Sequence, residues 1–356
     1  MGELKLMKGN EAIAEAAIRA GADAYFGYPI TPQSEVLEYL ANEAEKRTGM
    51  VILQAESEVA AINMVYGAGG TGKKVMTTSS SPGISLMQEG LSYIACAEIP
   101  CLLVNVVRGG PGLGTIQPGQ SDYLQATKGG GHGDYKLLVL APNSIQEMVD
   151  FVKEGFDLAF KYRNPVLILT DGVLGQMMEK VELFDQIPRS KEIPSWATVG
   201  KPPNRERNIL TSLNLQPELM EKHNEHLQAK YREIEKNEIR VETINCEGAD
   251  YIFTSFGLTS RICIKAAQLA KEKGIKIGII RPITVYPFPY ETYAKYADKV
   301  KGFFDVEMNA GQMLEDVKLG VLGKAPIKFH GRMGGMVPTP DEVFHVFEEK
   351  FLGGKE

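Results

Sequence analysis

Cysteine, tryptophan and histidine are scarce in this chain: four, one and five among 356 residues. Cys96, Cys101, Cys246 and Cys263 form no C-x-x-C pair. A zinc ribbon needs paired thiolates and a cubane iron–sulfur cluster needs four, so neither is expected here and no metal ligands are assigned. The cysteines read as small buried hydrophobes in a reducing compartment. No apolar run approaches the roughly 18 residues of a membrane span. The first residues lack the apolar core of a signal peptide, and Leu6 stands where a myristoylation signal needs Ser or Thr. Basic residues do not predominate: 39 Lys and Arg against 45 Asp and Glu leave a net charge of -6. A nucleic-acid binder would carry a basic face. A cytoplasmic protein is expected, with no nucleic acid and no membrane among its partners. No Gly-x-Ser-x-Gly elbow is present, so hydrolase chemistry has little support. His223 and His226 lie three apart on a charged stretch without a completing ligand pattern, and read as solvated.

What is present is the balance of a globular protein, 44% hydrophobic and 24% charged, with length for about two domains. Strands and helices alternate through the first half. A helix is predicted over 10–20, capped by Asn10 and stopped by Gly21, and a strand over 24–27. Thr31 reads as the N-cap of the next helix, with Pro32 at its first position. Strands at 51–55, 74–79, 101–107, 137–141 and 166–170 are interleaved with helices, among them one with Ala60, Ala61, Met64, Val65 and Ala68 on a single face. This alternation predicts a parallel sheet covered on both sides.

Residues 185–248 break the pattern. Pro188, Pro194, Pro202, Pro203 and Pro217 punctuate a linker that holds Trp196, and residues 218–238 read as one long charged helix with Leu219, Leu227, Tyr231 and Ile234 at helical spacing. It is a strut between domains or a partner-facing helix. A second, smaller parallel α/β unit runs over 249–356. The fold class is therefore α/β with two parallel-sheet domains, 1–184 and 249–356, joined by a linker over 185–248.

The segment Gly67 to Lys74 is a Walker A decoy. Lys74 occupies the position where Ser or Thr should hold magnesium, and the segment follows a helix and precedes a strand, the reverse of a P-loop. The loops after the strands are more informative, because ligands of open parallel sheets bind beyond the strands' carboxyl ends. Gly27-Tyr-Pro-Ile-Thr-Pro32 comes after the first strand and Gln54-Ala-Glu-Ser-Glu58 after the second. Thr77-Thr-Ser-Ser-Ser-Pro-Gly83 comes after the third, and Arg108 with Gly109-Gly-Pro-Gly-Leu-Gly114 after the fourth. Hydroxyls, a carboxylate, an arginine and close-approach glycines on one rim favour a site over four separate structural roles.

These segments, with their spacing, resemble the alpha subunit of 2-oxoacid:ferredoxin oxidoreductases, over nearly the whole chain. The similar turns Gly257-Leu-Thr-Ser-Arg261 and Arg281-Pro-Ile-Thr-Val-Tyr-Pro287 extend the likeness into the second unit. The resemblance implies a pyrimidine-binding thiamine diphosphate domain followed by a transketolase C-terminal-like domain. The branched-chain, 2-oxoisovalerate type is most similar and the 2-oxoglutarate type next.

By resemblance, Glu58 is the carboxylate that hydrogen-bonds the aminopyrimidine N1′ and promotes loss of the thiazolium C2 proton, with Glu56 its rival. Arg108 takes the 2-oxo acid's carboxylate, and the Thr31 hydroxyl its 2-oxo oxygen or carboxylate. Pro29 and Ser80 join Glu58 in holding the cofactor. No Gly-Asp-Gly with a downstream Asn is present; Gly133-Asp134-Tyr135 lacks the second glycine. The resemblance therefore implies a separate beta subunit for the diphosphate and Mg²⁺, and a ferredoxin-like subunit for the iron–sulfur clusters. The reaction would convert a 2-oxo acid, CoA and oxidised ferredoxin into acyl-CoA, CO₂ and reduced ferredoxin. The rival enzyme is the beta-type subunit of a lipoamide-linked 2-oxoacid dehydrogenase; the rival outside catalysis is a scaffold subunit with a decayed site.

Overall fold

Seven strands, buried on both faces at their centre, carry the rim of polar loops at their carboxyl ends. The computed structural model describes residues 3–201 and 203–353; Pro202 of the linker, Met1, Gly2 and residues 354–356 lie outside the described residues. In this first sheet the spatial order is Thr284–Tyr286, Leu138–Leu140, Pro165–Asp171, Cys101–Val107, Val75–Ser79, Ala24–Gly27 and Val51–Gln54. All neighbours are parallel except the first pair. Every residue of Cys101–Val107 and Pro165–Asp171 is buried, which is why these strands read as unbroken apolar runs rather than alternating ones.

The second sheet has the order Ile327–Gly331, Phe303–Glu307, Tyr251–Thr254, Ile277–Pro282, Val241–Ile244. It is parallel except that Val241–Ile244 pairs antiparallel with Ile277–Pro282. The fold is α/β with two largely parallel sheets, and each sheet takes an antiparallel strand at one edge. Both of those strands depart from the expected layout. Val241–Ile244 lies within the stretch read as linker. Thr284–Tyr286 follows a strand of the second sheet yet completes the first. A third departure is a two-stranded antiparallel ribbon of Glu3–Lys8 with Met178–Leu183. It buries Met7, Val181 and Leu183 but leaves Leu4 and Leu6 exposed.

Several helices begin elsewhere than their sequence signals suggest. The first helix is Gly9–Arg19, and Asn10 is inside it rather than at its cap. Its buried amide donates to Pro32 O (2.7 Å) and to Glu35 (2.9 Å). The next helix is Ser34–Thr48 with Gln33 at the N-cap, so neither Thr31 nor Pro32 opens it. In Glu58–Gly70, Ala61 and Val65 face inward, but Met64 is exposed. The charged helix is Pro217–Asn237, and it buries Leu227, Tyr231 and Ile234 while Leu219 stays exposed. It lies on the first domain. The ring Nε2 of His223 is 2.8 Å from Cys96 O, His226 reaches Glu98 at 3.0 Å, and Lys230 donates to Glu98 and to Arg163 O. The two histidines thus help clamp the helix down. Among the described residues, no helix is long and apolar enough to cross a membrane, and no cluster of His, Cys, Asp or Glu could hold a metal ion.

One segment locks the two sheets together. Gln120 is buried; its amide donates to Phe256 O (2.8 Å), and its Oε1 accepts from Met308 N (2.9 Å) and the Thr259 hydroxyl (3.2 Å). Asp316, wholly buried, accepts from the Tyr123 hydroxyl (2.6 Å), Lys128 and the Tyr290 hydroxyl. Arg281 forms paired bonds with Glu147 at 2.6 and 3.1 Å. Satisfied buried polar groups of this kind fix a register that apolar packing alone would leave loose.

Asp171, at the carboxyl end of its strand, is also buried and caps the short helix Gly172–Gln176 by accepting from Val173 N (2.8 Å) and Leu174 N (3.2 Å). Burial, partly offset by those two bonds, pushes its carboxyl from 3.8 up to about 6. An acid with a raised folded-state pKa gives its full stability below the unfolded value and loses it as pH rises through the folded one. Asp171→Asn keeps a cap acceptor. It should match wild type at about pH 4 and exceed it at pH 7, by on the order of 3 kcal/mol for a shift of about two units. Urea unfolding at both pH values tests this; the same difference at both would contradict it.

Candidate active site

Parallel strands deliver their carboxyl ends to one edge, so the four segments after them share a rim. Glu58 is the first residue of helix Glu58–Gly70, behind Ser57, whose hydroxyl accepts from Ala60 N. The residue as a whole is 5% exposed, and its carboxylate has no hydrogen-bond partner in the structure. Its oxygens keep a narrow opening to solvent, through which a donor from outside the chain can reach them. Glu56, the rival, is exposed and already accepts from the Ser57 hydroxyl at 2.8 Å.

What holds Glu58 is the first turn of helix Ser81–Cys96. A Cβ on Gly83 would fall 2.0 Å from Ser79 Oγ and 2.5 Å from Glu58 Oε1. Only a glycine allows the helix to press this closely on the carboxylate. Two residues earlier, Ser81 reaches the other side of the site. Its hydroxyl accepts from Arg108 N at 3.1 Å and lies 3.3 Å from Arg108 O. One helical turn therefore positions Glu58 and Arg108 together.

Arg108 is 6% exposed. Its Nη1 donates to Thr31 O (3.0 Å) and its Nη2 to Leu113 O (2.8 Å), while Nε is buried without a partner. The guanidinium thus ties the Gly109–Gly114 loop and the Thr31 segment to one point and keeps donor capacity in reserve. Thr31 is brought beside Arg108 through its carbonyl; its exposed hydroxyl has no partner within the chain. Pro29 is exposed on the same loop. Ser80 is wholly buried at the N-cap, yet its hydroxyl makes no cap bond and no other. The hydroxyls of Thr77 and Ser79 and the Asn105 carbonyl oxygen are likewise buried and unpartnered. Most buried polar atoms are satisfied, so this concentration of orphans beside Glu58 and Arg108 marks a site completed by something else.

Four contributors escape sequence reasoning. Gln33 is buried and accepts from the Thr78 hydroxyl, which also meets Tyr25 at 2.8 Å; burial pushes the Tyr25 phenol up to about 12. Ser81 is the hub between helix and arginine. Asp122 accepts from Asn105 Nδ2 at 2.8 Å. Burial raises its carboxyl, partly offset by hydrogen bonds from Ser81 and Asn105. Asn105 had a readable signal: it is the one polar residue in the buried strand Cys101–Val107. Gln33, Ser81 and Asp122 stand at helix starts, where nothing in the sequence distinguishes them from ordinary cap and turn residues.

A carboxylate on a largely buried residue, without a donor in the chain and backed by a glycine that admits no side chain, suits the ring nitrogen of an aminopyrimidine. Gly83→Ala should displace Glu58 or Ser79 and cost the assembled protein most of its activity, with little change in helix content. Circular dichroism and a turnover assay test this; a fully active Gly83→Ala would show that the close approach is incidental.

Both domains match known families. Residues 15–243 match the family described as "Pyruvate flavodoxin/ferredoxin oxidoreductase, thiamine diP-bdg", and residues 249–343 match "Pyruvate:ferredoxin oxidoreductase core domain II". The chain is 47% identical to ketoisovalerate oxidoreductase subunit VorB of Methanothermobacter thermautotrophicus, over 97% of each chain. It is 36% identical to 2-oxoglutarate synthase subunit KorA of Methanocaldococcus jannaschii, over 96% of this chain and 98% of that one. Among solved structures, the 2-oxoglutarate:ferredoxin oxidoreductase from Magnetococcus marinus superposes with a TM-score of 0.85 at 28% identity, covering 98% of this chain and 66% of that one. With a thiamine diphosphate-binding domain and core domain II in sequence, the chain belongs to the 2-oxoacid:ferredoxin oxidoreductase family.

Proposed function

We propose that this chain is the alpha-type subunit of a thiamine diphosphate-dependent 2-oxoisovalerate (ketoisovalerate):ferredoxin oxidoreductase, and that it forms half of an active site shared with a partner subunit. The observation that carries the reading is the unpartnered Glu58 carboxylate packed against the same helical turn that positions Arg108. The substrate follows the 47% identity to a ketoisovalerate oxidoreductase subunit against 36% to the 2-oxoglutarate synthase subunit. The reaction is oxidative decarboxylation of the 2-oxo acid with CoA, giving acyl-CoA, CO₂ and reduced ferredoxin. It takes place in the cytoplasm.

When bound, thiamine diphosphate supplies a carbon acid whose conjugate base attacks the carbonyl carbon of a 2-oxo acid. Glu58 holds the pyrimidine through N1′ and stabilises the proton there, and its burial strengthens that bond. Ser80 and Pro29 bound the same half of the cofactor. Arg108 binds the substrate carboxylate with the donors its two backbone bonds leave over, and the Thr31 hydroxyl meets the substrate oxygen. The diphosphate and Mg²⁺ belong to a beta subunit, and the iron–sulfur clusters to a ferredoxin-like subunit. Val59, Met64 and Leu86, exposed on the helices that carry Glu58 and Gly83, give such a partner an apolar surface to cover.

Four substitutions test the reading in the complex assembled from its native subunits. Glu58→Gln should lower kcat on the order of 10²–10⁴-fold, the range of general acid–base contributions, while Glu56→Gln is far milder. An inactive Glu56→Gln beside a near-normal Glu58→Gln would overturn the assignment. Arg108→Ala should lower kcat/KM at least about tenfold for 2-oxoisovalerate and pyruvate alike, since it reads the part they share. Arg108→Lys should not restore it, because an ammonium lacks the planar fork. A loss confined to 2-oxoglutarate would mean that Arg108 reads a distal carboxylate and that the substrate is of the 2-oxoglutarate type.

A further inference from the structure

The two domains leave a cleft of about 420 Å³ between them. Pro82, Gly109 and Pro111 come from the first domain, and Met308, Ala310 and Met333 from the second. Glycines shape its mouth. A Cβ on Gly109 would fall 2.6 Å from Gly335 N, so the loop after Arg108 and the loop after Met333 touch backbone to backbone.

The cleft adjoins the backbone that carries the proposed site. Ser81, which lines it, holds the backbone of Arg108; Gly109, also lining, follows Arg108 directly. Pro82 precedes Gly83, which presses on Glu58. Arg108 does not itself line the cleft; its backbone borders the space through Ser81 and Gly109.

The electrostatics of the lining are one-sided. Among the described residues, Asp122 is the one ionisable group that lines the cleft. The neighbouring cations are committed: Arg108, on the proposed function, to the carboxylate that every 2-oxo acid shares, Arg332 to Glu342 and Lys128 to Asp316. A second carboxylate entering here would lose water, meet no cation and face an acid. An aliphatic tail would meet two methionines, whose unbranched, polarisable side chains adapt to differing apolar shapes.

We propose that this interdomain cleft receives the tail of the 2-oxo acid, and that Met308, Met333 and Asp122 select uncharged aliphatic tails against those ending in a carboxylate. The inference rests on Arg108 holding the shared carboxylate. It gives specificity a repulsive element as well as an attractive one, and it assigns part of substrate choice to the second domain, which contributes none of the catalytic candidates.

The test uses the assembled complex, a viologen acceptor and CoA, and reads kcat/KM for 2-oxoisovalerate, pyruvate and 2-oxoglutarate. Met333 is 60% exposed, so Met333→Lys places a cation at the cleft without disturbing the core. It should raise the ratio of 2-oxoglutarate to 2-oxoisovalerate at least tenfold. Asp122→Asn, which keeps the acceptor for Asn105, should raise the same ratio several-fold. The double variant should exceed either. If both single variants leave the ratio at its wild-type value, whether or not overall rates fall, the cleft does not read the tail and the proposal is overturned. If the wild-type complex turns over none of the three acids, it is the functional reading that fails.

Discussion

The first turn of helix Ser81–Cys96 is the constraint on which the site depends. Gly83 lets the turn pack directly against Glu58, and Ser81 binds the backbone of Arg108 on both its N–H and its carbonyl side. A carboxylate from one βα unit and a guanidinium from another are thereby fixed by three consecutive residues of a third. Neither group reaches the other directly. Their separation is set by backbone, which has fewer ways to move than side chains do, and preorganisation of that kind is what transition-state stabilisation requires.

The same economy runs through the joint between the domains. Residues 117–128 lie against the second sheet through Gln120, Tyr123 and Lys128, and they are also the continuation of the Gly109–Gly114 loop. Any shift of the second domain would be felt at Arg108 through that loop. The return of Thr284–Tyr286 to the edge of the first sheet, and the Arg281–Glu147 pair beside it, oppose such a shift. The second domain thus does more than add mass: it forms one wall of the interdomain cleft.

The central strands were legible because burial on both faces leaves no choice of residue; Cys101–Val107 announces itself, and its single Asn marks the site. The rim followed from topology, since parallel strands share one carboxyl edge. Edge pairings were not legible. Thr284–Tyr286 and Val241–Ile244 are short, and their partners are chosen by long-range packing that local propensity does not encode. Asn10 and Thr31 misled for the opposite reason. Both are good caps by type, but Asn10 is buried to bridge Pro32 O and Glu35, and the Thr31 carbonyl is taken by Arg108. Of the candidate residues, Glu58, Arg108 and Ser80 lie buried on the rim and Thr31 is tied to it through Arg108, whereas Pro29 is exposed on the adjoining loop.

The central claim is that Glu58 waits for a donor that only a cofactor clamped by a second subunit provides. Calorimetric titration of thiamine diphosphate with Mg²⁺ into the isolated chain, the assembled complex and the assembled Glu58→Gln complex tests it most directly. Weak binding to the isolated chain, tight binding to the wild-type complex and weakened binding to the variant complex are predicted. Tight, Mg²⁺-dependent binding to the isolated chain, or identical affinities for the two complexes, would contradict the account.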